Sequence, residues 1–179
     1  MKNFVIRNWG HGLIWFFMIV FFIYAPQFYA KLYLKQGIPL QIKGNFPQIY
    51  TKHAKFSIDG LEPIVSNGEE VYKFWGWAFQ TEDLGSKQTD YERILVLRSN
   101  TNIYFFPLTT VPSQDIQDTY KDLSLDLTNT RFYTLIAKDF IAPGSYRLEI
   151  IYNHRTNGTS FYQKIKGIIT RTPNRLILE

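Results

Sequence analysis

Residues Tyr72-Lys73-Phe74-Trp75-Gly76-Trp77-Ala78-Phe79-Gln80, YKFWGWAFQ, set two tryptophans and two phenylalanines around one glycine. The run reads as a strand, in which successive side chains point to opposite faces. Phe74, Gly76 and Ala78 then share one face, and Trp75, Trp77 and Phe79 the other. Burying one such aromatic removes about 150–250 Å² from water. The reading adopted therefore makes the Trp75–Trp77–Phe79 face the centre of a small β core, with Gly76 letting a facing side chain or backbone come close. The competing reading leaves the tryptophan face open, so that Trp75 and Trp77, with Tyr104 as a further candidate, stack on sugar rings or on a partner protein. Sugar sites also need polar groups converging on the hydroxyls.

Working outward, Lys55–Asp59, Val71–Phe79, Arg93–Arg98, Asn102–Leu108, Arg131–Ala137, Tyr146–Tyr152 and Ser160–Ile169 all read as strands, bounded by Gly, Pro, Asn, Asp or Ser. Seven strands in a domain of this size predict an immunoglobulin-like β-sandwich. Asn157-Gly158 predicts a type I′ hairpin turn, because Asn and Gly tolerate its positive φ angles. Pro143-Gly144 predicts a turn ahead of Tyr146. Ser113 to Asp122, SQDIQDTYKD, predicts a turn or two of helix with Ser113 as its cap.

The stretches FWGWAFQ (74–80), YERILVLRSNTNIYFF (91–106), SQDIQDTY (113–120) and RFYTLIAKDFIAPGSYRLEIIY (131–152) follow one another in this order. In that succession the chain resembles bacterial membrane-tethered immunoglobulin-like β-sandwich modules of largely unknown function. Their pattern is a Gly-Trp-Ala strand, a hydrophobic strand ending in Arg-Ser, an Asp-Val/Ile turn and a Pro-Gly-x-Tyr hairpin. Here Arg131-Phe132 stands where that pattern has Gly-Phe. The resemblance implies the sandwich and a membrane tether, and brings no activity with it.

Ahead of the strands, Leu13 to Ala25, LIWFFMIVFFIYA, is 13 residues without a charge. Extended from Trp9 to Ala30 the segment has 22 residues, enough for a helix to cross the hydrocarbon layer, which takes about 20. Trp9 and Trp15 near one end, and Tyr24, Tyr29 and Tyr33 near the other, suit an interfacial aromatic belt. A cleaved signal peptide is the alternative, but Phe28-Tyr29-Ala30 and Ile23-Tyr24-Ala25 put bulky residues where a cleavage site needs a small one. The organisation expected is a short basic N-terminus (1–8), a transmembrane helix (9–30), a linker (31–49) and a β-sandwich domain (50–179). Gly10, Gly12 and Ala25 would allow close helix approach in lipid, with Trp9, Trp15, Phe17 and Phe21 filling grooves. Basic residues nearly balance across the segment, and a long domain translocates largely regardless of charge. The domain is placed on the extracytoplasmic side.

The net charge is +5, from 20 basic and 15 acidic residues. Without Lys2 and Arg7, residues 31–179 hold 18 basic against 15 acidic, a balance of +3. These charges are scattered, so the basic stripe expected of a nucleic-acid binder is missing. With no cysteine there is neither a disulfide framework nor a zinc–cysteine site. His11, His53 and His154 form no metal-binding spacing. Asp115, Asp118, Asp122 and Asp126 lack the glycine and terminal glutamate of a calcium loop, and no nucleotide or nucleophile motif occurs.

Gly76, Arg93, Arg98, Asp115, Gly144, Tyr146 and Gly158 are expected to serve structure, with Asp115 and Asp139 as acidic partners for the two arginines that bracket Ile94–Leu97. The functional expectation is a non-enzymatic, single-span membrane protein without a cofactor. Its partners would be the lipid bilayer and the integral membrane proteins of a larger complex, which it serves as an accessory or scaffold subunit. A glycan-binding surface module is the alternative.

Overall fold

The computed structural model describes Met18 and residues 49–66, 68–81, 87–156 and 158–179. Among the described residues nine strands carry the domain: β1 (Ala54–Ser66), β2 (Glu69–Gln80), β3 (Tyr91–Arg98), β4 (Ile103–Pro107), β5 (Thr109–Val111), β6 (Arg131–Ile136), β7 (Gly144–His154), β8 (Ser160–Arg171) and β9 (Leu176–Leu178). One short helix, α1 (Gln114–Thr119), lies between β5 and β6. The strands form a four-stranded sheet, β1-β2-β6-β5, and a five-stranded sheet, β4-β3-β7-β8-β9. All neighbours within the two sheets are antiparallel. The mainly-β, sandwich-like architecture follows the sequence expectation, with two short strands, β5 and β9, beyond the seven foreseen.

One buried cluster joins both sheets: Tyr72, Phe74, Ala78, Phe132 and Ile136 from the first, and Leu95, Leu97, Phe106, Leu148, Ile150, Tyr152, Ile165 and Ile169 from the second. The face of β2 that enters this core is the reverse of the one expected. Phe74 and Ala78 are fully buried, whereas Trp75 and Trp77 are half-buried on the outer face. Register explains the choice. Trp75 pairs with Tyr133 and Trp77 with Arg131, while Lys73 shares their side of β2. Turning the tryptophans inward would carry the Lys73 ammonium and the Arg131 guanidinium into an apolar space, at a cost several aromatic contacts do not offset. Phe79 lies on the outer side too, yet is fully buried, because Ile116 of α1 and Leu125 and Leu127 beyond it form a second small core over it.

Gly76 faces the main core, and its constraint is backbone proximity: a Cβ there would lie 2.2 Å from the carbonyl oxygen of Ser57. Beside it β1 is bulged between Ile58 and Gly60. The extra residue, Asp59, accepts a hydrogen bond from Arg131 Nη1 at 2.7 Å.

Three local expectations are corrected. Ser113 occupies the N-cap of α1 as expected, but its side chain makes no capping bond: its hydroxyl donates to Leu127 O at 2.7 Å and accepts from Thr130 N at 2.8 Å, pinning the segment that closes the second core. Pro143-Gly144 does not turn a hairpin, since β6 and β7 belong to different sheets. It leads a crossover into β7, with Gly144 at φ 148°. Arg93 and Arg98 do not pair with Asp115 or Asp139. Arg98 pairs with Glu149 at 3.1 Å, Asp115 with Arg131, and Asp139 with Arg171 at 3.6 Å.

Gly158 follows β7 at φ 70° and donates its N–H to His154 O at 3.1 Å, ahead of β8. Asn157 lies outside the described residues. So does the segment 9–30 apart from Met18, which is helical, and with it Trp9, Gly10, Gly12, Trp15, Phe17, Phe21 and Ala25. Among the described residues no helix is long and apolar enough to cross a membrane.

Tyr146, at the start of β7, donates its hydroxyl to Ala142 O at 2.6 Å, while Ala142 N donates to Tyr104 Oη at 3.0 Å. Burial, reinforced by Tyr104, pushes the Tyr146 phenol up to about 12, above the usual tyrosine value of about 10. Tyr152, also buried, is shifted in the same direction. A folded-state value raised above the unfolded one favours the native state below pH ~10, and that contribution is lost as pH climbs toward 12. Unfolding midpoints should therefore fall between pH 9 and 11.5. In Tyr146→Phe the midpoint at pH 9 should be lower, for want of the hydroxyl, and its alkaline decline shallower. An equally steep decline in the variant would show that Tyr146 does not titrate this way.

Candidate binding face of the four-stranded sheet

On the outer face of the four-stranded sheet, Lys73, Trp75 and Trp77 of β2 stand opposite Leu135, Tyr133 and Arg131 of β6. Ile64 of β1 and Val111 of β5 border them, and with Lys73, Trp75, Arg131, Tyr133 and Leu135 they line an open groove of about 450 Å³. Apolar and aromatic groups form most of its wall, and the two cations stand at its ends. The Lys73 ammonium lies 5.5 Å from the Trp75 ring centroid, within cation–π range. The Trp75 indole itself lies over Gly60, where a Cβ would come within 2.5 Å of the ring. The β1 glycine thus makes room for the large ring on a pleated surface that would otherwise push it outward.

Arg131 is held from two sides. Its Nη1 donates to Asp59, and its Nε and Nη2 donate to the two carboxylate oxygens of Asp115. The pair raises the Arg131 guanidinium above its ordinary value and holds the Asp115 carboxyl below its own. The guanidinium therefore forms a fixed wall rather than a mobile arm.

Of the three residues proposed from sequence as an aromatic platform, only Trp75 lines this groove. Trp77 sits in a separate aromatic cluster, 5.7 Å from Phe79 and 5.6 Å from Tyr120 between ring centroids. Tyr104 packs against the main core, edge-on to Tyr146 at 5.6 Å. Sequence reasoning missed Tyr133, Leu135, Ile64 and Val111. The alternation Arg131-Phe132-Tyr133-Thr134-Leu135-Ile136 held the signal: with Phe132 inward, Tyr133 must stand outward beside whichever residue of β2 it pairs with.

Arg93, fully buried at one end of the sandwich, belongs to a different environment. Its Nη2 donates to Gln88 O and Oε1 at 3.2 and 3.3 Å, and its Nη1 to Asn129 O at 3.3 Å. Gln88 in turn clasps Gln80, its Oε1 accepting from Gln80 N at 3.1 Å and its Nε2 donating to Gln80 O at 3.0 Å. No carboxylate pairs with Arg93 among the described residues, and burial lowers its pKa. Tyr152 stands directly opposite it on β7. Arg93 Nε and the Tyr152 hydroxyl make no hydrogen bond among the described residues.

No group of three or more His, Cys, Asp or Glu that could hold a metal ion occurs among the described residues. No protein-family model, no curated protein and no solved structure matches the chain.

Proposed function

We propose that the chain is a non-enzymatic, single-span membrane protein whose β domain is an immunoglobulin-like sandwich on the extracytoplasmic side. There it docks on integral membrane proteins as an accessory or scaffold subunit of a larger complex. The observation that carries the docking role is the groove around Trp75 and Tyr133. Its half-buried aromatic centre between two cations has the composition of an interface hot spot, where Trp, Tyr and Arg are enriched. The segment 9–30, with its 13 consecutive apolar residues Leu13 to Ala25 interrupted only outside that run by Gly10, His11, Gly12, Pro26 and Gln27, supports the anchor. The immunoglobulin-like assignment draws on the sheet orders β1-β2-β6-β5 and β4-β3-β7-β8. These parallel the A-B-E-D and C′-C-F-G arrangement of such domains. The bond from the Tyr146 hydroxyl to Ala142 adds to this, as a tyrosine near the start of strand F returns to upstream backbone in that fold.

Full-length protein purified in mild detergent should carry integral membrane proteins at fixed stoichiometry. A hot-spot residue contributes about 2 kcal/mol or more, so Trp75→Ala should weaken that recovery about thirtyfold while keeping a cooperative thermal transition. Exchanging residues 9–30 for a generic apolar helix should also weaken it. If no membrane protein is recovered and the intact chain instead binds a polysaccharide in a Trp75-dependent way, the subunit reading falls. The glycan reading then takes its place, favoured by the same cross-strand pairing of Trp75 with Tyr133.

A further inference from the structure

The five-stranded sheet carries a second concave feature, separate from the Trp75 groove. Strands β3 and β7 set Arg98 directly opposite Arg147. Like charges facing each other across an antiparallel pair are destabilising, so this placement is a cost to the unliganded fold. Arg98 is partly offset through its Nε, which donates to the buried Glu149 carboxylate at 3.1 Å. Arg147 is exposed, and among the described residues no carboxylate pairs with it.

Both arginines line a cleft of about 410 Å³ between the β3–β4 turn, Ser99 to Asn102, and the lead into β7, Pro143 to Ser145. Among the described residues no acidic one lines it. The turn is internally braced: Ser99 Oγ accepts from Thr101 N at 3.3 Å and from Asn102 N at 2.9 Å. Asn102 Nδ2 donates to Thr101 Oγ1 at 3.1 Å. One wall is therefore preformed, the floor is cationic, and the volume falls in the range of small-molecule sites, about 300–1,000 Å³.

We propose that this cleft binds a single oxyanion group, a carboxylate, sulfate or phosphate, of a small ligand held between Arg98 and Arg147. Guanidinium groups match such oxygens with paired, charge-assisted hydrogen bonds. Glu149 fixes Arg98 from behind and leaves Arg147 as the cation that an incoming anion neutralises. Affinity therefore depends chiefly on Arg147.

The full-length protein in detergent, with nitrogen-15-labelled arginine, is titrated with sodium sulfate, phosphate or acetate against sodium chloride at constant ionic strength. The side-chain Nε signals of Arg98 and Arg147 should shift saturably with the oxyanions and not with chloride. Arg147→Gln should weaken sulfate binding at least about tenfold. Its unfolding temperature in chloride should equal or exceed that of the parent, because the opposed charge is gone. Parallel titrations with glucuronate and with glycerol phosphate distinguish an acidic sugar from a phosphate headgroup, the tighter ligand identifying the source. A non-saturating response equal to that of chloride would overturn the proposal, as would an Arg147→Gln variant that binds sulfate like the parent.

Discussion

Gly76→Ala should cost the domain about 3 kcal/mol, the upper end for overpacking a well-packed site. The new methyl carbon would lie 2.2 Å from Ser57 O and 3.1 Å from Ile58 Cα. Neither is a side-chain end that can rotate away; both belong to the β1 backbone. Relief requires β1 to move off β2, which strains the pairing on either side of the bulge. Out of a total stability of about 5–15 kcal/mol for a domain, that loss lowers the urea midpoint well outside error.

Gly60→Ala is the internal comparison, because its methyl would meet the Trp75 ring, and a ring can turn on its own bonds. Its cost should be smaller, and Trp75 fluorescence should shift. If Gly76→Ala unfolds at the same urea concentration as the parent, β1 does not approach β2 as described.

Arg93→Ala should lose a similar amount, about 3 kcal/mol, for a different reason. Truncation withdraws the donor from Gln88 O and Asn129 O, and a buried acceptor left without a partner costs about 1–3 kcal/mol. It also opens a void at the end of the core. Against this stands the relief of desolvating a guanidinium that has no carboxylate beside it among the described residues. Arg93→Met separates the contributions by keeping most of the volume while removing the charge. It should lose about half as much as the alanine variant in urea unfolding. A methionine variant as damaged as the alanine one would assign the loss to the hydrogen bonds alone. An alanine variant of parental stability would mean that Arg93 does not brace this end of the sandwich.

The strands were legible because hydrophobic runs and turn residues are local signals. Tyr146 and Gly158 stand at the strand boundary and the turn their types demand. Which face of β2 is buried was not legible from its own nine residues. It is decided by parity with β6 and by Lys73, whose charge must stay with the tryptophans on the wetter side. The ion pairs were misassigned for the same reason. Arg131 reaches Asp59 through the β1 bulge and Asp115 through α1, 72 and 16 residues away along the chain, and neither proximity leaves a mark in sequence spacing. Tyr133 and Leu135 entered the groove through cross-strand register, which one sequence does not print.

The bulge at Ile58/Gly60 also bears on self-association. β1 is a 13-residue edge strand, and a long, straight edge invites the same strand of another copy to add alongside it, the route to aggregates. Here the row of free amides is broken twice, by the bulge, which swings the edge out of line, and by Pro63, which has no N–H to offer. The irregularity that brings Asp59 to Arg131 thus leaves the longest open edge of the domain a poor template for fibre growth.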